Sequence, residues 1–242
     1  MGFSLNVISS KLGRSKTTVY YHVRKNFGRR YLPLKFELEP NADLGEFLGA
    51  FASDGNFQSD KKSHHYRVTI VLSEDQAIYA EVLTDKMEKV LGKRPKVWSY
   101  PKQHTVRITI HGREILDFLK RFLFWTGNKT HTIAFRRKSL NLGDAFRLGI
   151  IRGLIAGDGS VNLKNARVEF AVTSKRLAKQ YAEVLKSFGI GSHWHSSKKR
   201  MRRVPLHSVT VRGTRDLRAL KARIGLTDPL RSNLLDKILE RR

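Results

Sequence analysis

One short element occurs twice in this chain, and it limits what the rest can fold into. The first copy is Leu44-Gly45-Glu46-Phe47-Leu48-Gly49-Ala50-Phe51-Ala52-Ser53-Asp54-Gly55. The second is Leu148-Gly149-Ile150-Ile151-Arg152-Gly153-Leu154-Ile155-Ala156-Gly157-Asp158-Gly159. The two acids lie 104 positions apart, and the same offset carries Gly45 onto Gly149 and Gly49 onto Gly153. Each copy reads as a helix that ends on a carboxylate. Glycine inside a helix costs ~1 kcal/mol against alanine, yet each helix keeps two of them, four residues apart. Small residues on one face let two helix backbones approach closely. The spacing therefore predicts that the two helices pack on each other and bring Asp54 and Asp158 side by side.

That placement is unfavourable without a cation. A carboxylate at a helix C-terminus faces the negative end of the macrodipole. Two of them ~5 Å apart repel by about 3 kcal/mol at an effective dielectric of ~20. A divalent cation relieves both penalties, and oxygen ligands of this kind suit Mg²⁺. The bland alternative is that each Asp-Gly is only a turn after a helix. The doubled motif with its matching context argues against it.

The context repeats as well. In the first half Tyr66–Leu72 alternates as a strand, Ser73 or Asp75 caps a helix to about Leu91, Val97–Tyr100 and Thr105–Ile110 read as strands, and Arg113–Phe124 as a closing helix. In the second half Ala166–Val172, Ser174–Phe188, strands around His193–His195 and Ser208–Arg212, and Thr214–Arg223 follow the same order. The expected fold is α+β: two αββαββα lobes related by a pseudo-two-fold axis. Alternation puts Val68, Ile70, Leu72, Val106, Ile108, Ile110, Val168, Phe170 and Val172 inward. It leaves Arg67, Thr69, Arg107, Thr109, Arg167 and Arg212 on the opposite face.

Charge names the partner class. With 47 Lys+Arg against 21 Asp+Glu the chain carries +26, a self-repulsion normally offset by a polyanion. DNA or RNA leads. An anionic membrane surface is the weaker option, because the basic residues are spread through folded segments rather than gathered on one amphipathic helix. Ribosomal attachment is a third. The run Lys198-Lys199-Arg200-Met201-Arg202-Arg203 falls where a hairpin tip belongs and is expected to contact phosphate, as are Lys102 and Lys164 in turns. The chain has no cysteine, which excludes disulfides, thiolate zinc and cysteine nucleophiles. His64-His65 and His193-Trp194-His195 lack zinc-ligand spacing. With no apolar run of secretory or membrane-span length, a cytoplasmic, nucleoid-associated protein is expected.

Residues 1–30 read as a separate segment. A helix over Leu5–Leu12 stops at Gly13, and Ser15 can cap a second helix to about Phe27. The stretch Leu12–Val23 resembles the turn and recognition helix of many bacterial and archaeal regulators. Lys16, Thr17, Tyr20, Tyr21 and Arg24 are its candidate DNA contacts. Residues 31–41, with Pro33 and Pro40, form the expected linker, followed by lobes over 42–140 and 141–242.

The segments Phe47–Gly55 and Ile151–Gly159 resemble the two motifs of a single-chain LAGLIDADG homing endonuclease. The resemblance covers about residues 40–242. It implies a saddle of antiparallel strands over DNA and Mg²⁺-dependent cutting of both strands of a long target by a monomer, with Mn²⁺ or Ca²⁺ able to substitute for binding. By this resemblance Asp54 and Asp158 bind the metals, and the carbonyls of Ser53 and Gly157 add ligands. The family also tends to place a lysine beyond each closing helix, which selects Lys129 and, in the second lobe, Arg231. Arginine does not deprotonate, so Arg231 is expected to stabilise charge rather than act as a base. A polar residue at the end of each lobe's first long strand would be Ser73 or Ser174. Two other functions compete: a non-cutting DNA-binding regulator on the same scaffold, and an RNA maturase whose partner is intron RNA.

Overall fold

A computed structural model describes residues 5–27, 34, 36, 39–60, 65–197 and 204–241. The chain divides into two compact units, one up to Pro33 and one from Leu34 onward. The first unit is a helical pair. Helix α1 (Leu5–Leu12) and helix α2 (Lys16–Phe27) are joined through Gly13, whose φ of +58° is the left-handed conformation that favours glycine. The Ser15 hydroxyl caps α2 by accepting from the Thr18 amide at 3.1 Å. Val19 is buried, whereas Lys16, Thr17, Tyr20, Tyr21 and Arg24 are exposed along one side of α2.

The second unit opens on helix α3 (Ala42–Asp54), capped by Asn41 accepting from the Leu44 amide at 2.9 Å. Strands β1 (Gly55–Asp60) and β2 (His65–Ser73), helix α4 (Ala77–Leu91), strands β3 (Lys96–Tyr100) and β4 (Thr105–His111), and helix α5 (Glu114–Phe122) follow. A short link holds β5 (Leu123–Phe124), α6 (Lys129–Thr132) and β6 (Ala134–Phe135). The series then repeats: α7 (Asp144–Ala156), β7 (Gly159–Asn162), β8 (Arg167–Val172), α8 (Lys175–Ser187), β9 (His193–Ser197), β10 (Leu206–Arg212) and α9 (Thr214–Ala219). A π-helical turn over Leu220–Ile224 leads to a last helix, α10 (Pro229–Glu240).

Each lobe holds one antiparallel four-stranded sheet, in the order β1-β2-β4-β3 and β7-β8-β10-β9. The predicted inward rows, Val68, Ile70, Leu72, Val106, Ile108, Ile110, Val168, Phe170 and Val172, are all buried. Removing such side chains from water contributes roughly 1.5–3 kcal/mol each. They join helix residues such as Phe47, Phe51, Tyr79, Phe146 and Tyr181 in one continuous core. The fold is thus α+β with two similar lobes.

Two helix boundaries and the exposure of one strand residue differ from the sequence-based expectation. The closing helix of the first lobe spans Glu114–Phe122 rather than 113–124, because Leu123 and Phe124 pair with Phe135 and Ala134. The helix expected over Thr214–Arg223 changes to π geometry after Ala219, with the Gly225 amide donating to the Leu220 carbonyl. Thr109, expected to face outward, is nearly covered and lies 3.5 Å from Thr69, hydroxyl to hydroxyl. His64, most of the predicted linker and the basic run Lys198–Arg203 lie outside the described residues. Among the described residues, no helix is long and apolar enough to cross a membrane.

Candidate active site

The seam between α3 and α7 is the centre of the second unit. Its packing explains the four helical glycines. A Cβ on Gly45 would stand 3.0 Å from the Ile150 amide nitrogen, and one on Gly149 2.8 Å from that of Glu46. On Gly153 it would stand 2.5 Å from the Ala50 amide nitrogen. Contact here is backbone against backbone, so no side chain can yield to an added methyl group.

The seam ends on the two acids. Asp54 is the last residue of α3, and Asp158 follows the Gly157 cap of α7. Gly157 is itself pressed on the first motif: an added Cβ would lie 2.5 Å from both Ser53 Cβ and Asp54 Oδ2. The expected juxtaposition is therefore present. Burial, and then the charge of Asp158, push the Asp54 carboxyl up to about 7 against the opposing pull of Lys129 and Arg231. Burial raises Asp158 as well, again opposed by Lys129 and Arg231.

Lys129 arrives at this site on α6. Asn128 caps that helix by accepting from the Thr130 amide at 3.0 Å, and the Thr132 hydroxyl donates to the carbonyls of Thr126 and Asn128. The tightened turn aims Lys129 Nζ at the Ala52 carbonyl, 3.0 Å away, over the ring of Phe51. Burial lowers the Lys129 ammonium to about 8, although both aspartates favour its charged form.

Arg231 occupies α10 and is differently engaged. Its Nε donates to the Gly159 carbonyl at 3.1 Å, and its Nη2 to the carbonyls of Gly157 and Gly159 at 3.1 and 3.0 Å. Its Nη1 pairs with Asp228. The Gly157 carbonyl, expected as a metal ligand, thus already accepts from a guanidinium, which disfavours a cation at the same oxygen. Ser53 is in the last turn of α3, its hydroxyl donating back to the carbonyls of Gly49 and Ala50 at 3.2 Å. Neither strand-end serine reaches the acids through its hydroxyl. Ser73 bonds Asp75, and Ser174 donates to the Ile133 carbonyl at 2.6 Å while capping α8.

Several residues around the seam had no counterpart in the sequence reading. Gln76 Nε2 donates both to the Ala156 carbonyl at 2.8 Å and to Asp228 at 2.9 Å. Glu46, fully buried on α3, receives Lys86 from α4 and the Thr227 hydroxyl from the second lobe. Two signals in the chain pointed here. One is a lone acid inside an apolar, glycine-bearing helix. The other is Asp228-Pro229, a helix start with its cap and its proline at the first position.

The outer faces of the two sheets carry the predicted basic residues. On the first sheet Arg67 contacts Gln58, and Arg107 lies 4.4 Å over the Tyr100 ring, near Gln103. Register adds Lys96, Trp98 and Tyr100 to that face, with Trp98 51% exposed. On the second sheet Arg167 pairs with Glu169 at 2.9 Å, so part of its charge is spent, while Arg212 is exposed. His193 and His195 share that face through their register with Thr210 and Ser208. Lys102 and Lys164 are exposed in turns.

Comparison with known proteins agrees with this architecture. Residues 45–123 match the WhiA LAGLIDADG-like domain and residues 145–225 the LAGLIDADG-like domain. No curated protein sequence matches the chain. Among solved structures it resembles I-DmoI in complex with DNA and Mn, with a TM-score of 0.59 at 14% identity over 76% of this chain and 96% of that one. I-DmoI in complex with DNA and Ca gives 0.57 at 15% identity, covering 82% and 98%. Full-length DUF199/WhiA from Thermatoga maritima gives 0.54 at 16% identity, covering 83% of this chain and 61% of that one. Two consecutive LAGLIDADG motifs, each closing one lobe's helix against the other's, define a single-chain LAGLIDADG protein. The chain belongs to this two-motif LAGLIDADG family.

Proposed function

We propose that the chain is a divalent-metal-dependent DNA endonuclease of the homing type. Asp54 and Asp158 are its metal-binding acids. The observation that carries this reading is a pair of largely buried carboxylates forced together by a glycine seam, with Asp54 pushed up to about 7. Burial of two carboxylates at one point, only partly offset by Lys129 and Arg231, marks the seam as a candidate functional site. Among the described residues no group of three His, Cys, Asp or Glu side chains could hold a metal. The donors in this reading are the Asp54 and Asp158 carboxylates and the Ser53 carbonyl, completed by phosphate and water. Mg²⁺ accepts such a set, since it keeps several waters and binds through one or two carboxylates plus substrate phosphates. When bound, a cation there supplies Lewis-acid polarisation of a phosphate and a more acidic water. I-DmoI structures with Mn, Mg and Ca support divalent metal use.

The chain's own residues do the rest. Asp54 and Asp158 fix the position of negative charge at the seam. Lys129 offers donors to a phosphate brought against it. The outer sheet faces, with Arg67, Lys96, Arg107 and Arg212, hold duplex DNA through its phosphates, and Trp98 and Tyr100 add flat contact area. The exposed row Lys16, Thr17, Tyr20, Tyr21 and Arg24 of α2 provides a second DNA-contacting surface.

The test is a cleavage selection on a randomised duplex library with Mg²⁺. Double-strand cuts at a long site, lost in Asp54→Asn and in Asp158→Asn with binding kept, are expected. A second reading, a DNA binder that does not cut, draws on the WhiA match of the first lobe and on the Gly157 carbonyl's engagement by Arg231. A site recovered by tight binding that stays intact in Mg²⁺ would establish that second reading.

A further inference from the structure

The outer faces of the two sheets carry different side chains at matching positions. Strand register sets the match. In the first lobe Gly55 lies opposite Ile70, Ile70 opposite Ile108, and Ile108 opposite Val97. In the second lobe the same row runs Gly159, Phe170, Val209, Trp194. Trp194 is thus the counterpart of Val97 and turns inward, its ring centroid 5.4 Å from that of His207. The residues on either side of it turn outward. His193 stands where the first lobe has Lys96, and His195 where it has Trp98. Ser208, opposite His195, takes the place of Arg107, opposite Trp98. Fixed positive charge is correspondingly thin on the second sheet. Arg167 is paired with Glu169 at 2.9 Å, which leaves Arg212, two residues beyond Thr210 on the same face. Among the described residues Glu169 is the one acid there. It shares a row with Thr210 and His193, two strands or roughly 10 Å from the imidazole. Both histidines are exposed. Two residues apart on one strand, they stand about 7 Å from each other, far enough in water to carry charge together.

We propose, resting on the reading of the outer sheet faces as the DNA-binding surface, that His193 and His195 are phosphate contacts of the second lobe and hold the polyanion as imidazolium. The first lobe grips with lysine and arginine, whose charge is constant between pH 5 and 8. The second gains much of its grip from protons, since imidazole is the side chain that ordinarily changes charge in that range. A neutral imidazole offers one N–H donor, whereas the protonated ring donates from both nitrogens and releases a counterion from the phosphate it meets. A phosphate beside the ring in turn favours the charged form. DNA binding and proton uptake are therefore linked through these two residues.

The experiment uses the full chain and a labelled duplex recovered by binding selection, in EDTA so that no cutting intervenes. Fluorescence anisotropy over a salt series at pH 5.5 and at pH 8 compares the wild type with the double variant His193→Gln, His195→Gln. At pH 5.5 the slope of log Kd against log salt is expected to be smaller by about two in the variant, with Kd at least about 10-fold weaker at 0.1 M salt. At pH 8 the two proteins should agree within about 3-fold in Kd and share one slope. Arg212→Gln, which removes a fixed charge, should lower the slope by about one at both pH values. Equal slopes of wild type and double variant at pH 5.5 overturn the proposal. So does the same loss at both pH values, which would assign the histidines to uncharged contacts. Either outcome leaves the endonuclease reading intact, because cutting is measured separately in Mg²⁺. Failure to recover any duplex overturns both. Should the glutamine variant melt below the wild type, His193→Lys combined with His195→Lys decides the matter. It should match the wild-type slope at pH 5.5 and exceed it by about two at pH 8, and an unchanged slope at pH 8 overturns the proposal.

Discussion

Gly49 and Gly153 meet across the lobe seam so closely that a Cβ on Gly49 would stand 3.1 Å from the Gly153 Cα. No rotamer can relieve that contact, because the opposing atoms are backbone. Gly153→Ala is therefore expected to destabilise the chain by about 3 kcal/mol, the upper end for forced overpacking. Urea unfolding measures this. A loss below about 0.5 kcal/mol would mean that the helices are free to part and that the acids are not rigidly paired.

The pH dependence of stability follows from Asp54. Its folded value, about 7, exceeds the 3.8 of an ordinary aspartate. The native state thus binds this proton more tightly than the unfolded chain. That contribution is fully present below about pH 4 and is lost as pH rises through 7. In EDTA, Asp54→Asn should match the wild type near pH 4 and exceed it by about 4 kcal/mol at pH 8. Equal stability of the two proteins at pH 8 contradicts the raised value.

Glu46 has no exposed surface, and Lys86 is its charged partner. Removing one member of a buried pair leaves the other uncompensated, at a cost of roughly 3–5 kcal/mol. Lys86→Met should destabilise by about 3 kcal/mol, and Lys86→Met combined with Glu46→Gln should recover part of it. A double variant no better than the single would show that the pair is not coupled.

On the outer face of the first sheet, Arg107 stacks on Tyr100 beside the exposed Trp98. Arg107→Ala is expected to weaken duplex DNA binding by about 1–2 kcal/mol and to lower the salt slope by about one. Trp98→Ala should weaken binding by ~1 kcal/mol with the slope unchanged, since the indole carries no charge. Fluorescence anisotropy over a salt series separates the two. A slope change in Trp98→Ala would assign the loss to disrupted sheet structure.

Periodicity located most elements because it reports one-dimensional properties. Val68, Ile70 and Leu72 alternate as the buried face of a strand does, and Ala77–Leu91 stops at Gly92, whose φ is +62°. The shifted end of the first closing helix depended on another segment of the chain. Leu123 and Phe124 become a strand only because Ala134 and Phe135 pair with them. Arg167 looked like a free DNA contact until its Glu169 partner was visible. The last helix is legible in Asp228-Pro229, a capping aspartate followed by proline at the first helical position.

The doubled glycine motif by itself determined the two lobes, their close helical contact and the meeting of Asp54 with Asp158. Only small residues permit that approach, and the chain has two matching sets of them. The tertiary structure decided which groups surround the acids. Lys129 retains spare donors, whereas Arg231 is consumed by Gly157, Gly159 and Asp228. A side chain's charge is fixed by its chemistry, but whether that charge is available depends on neighbours that the chain brings together only on folding.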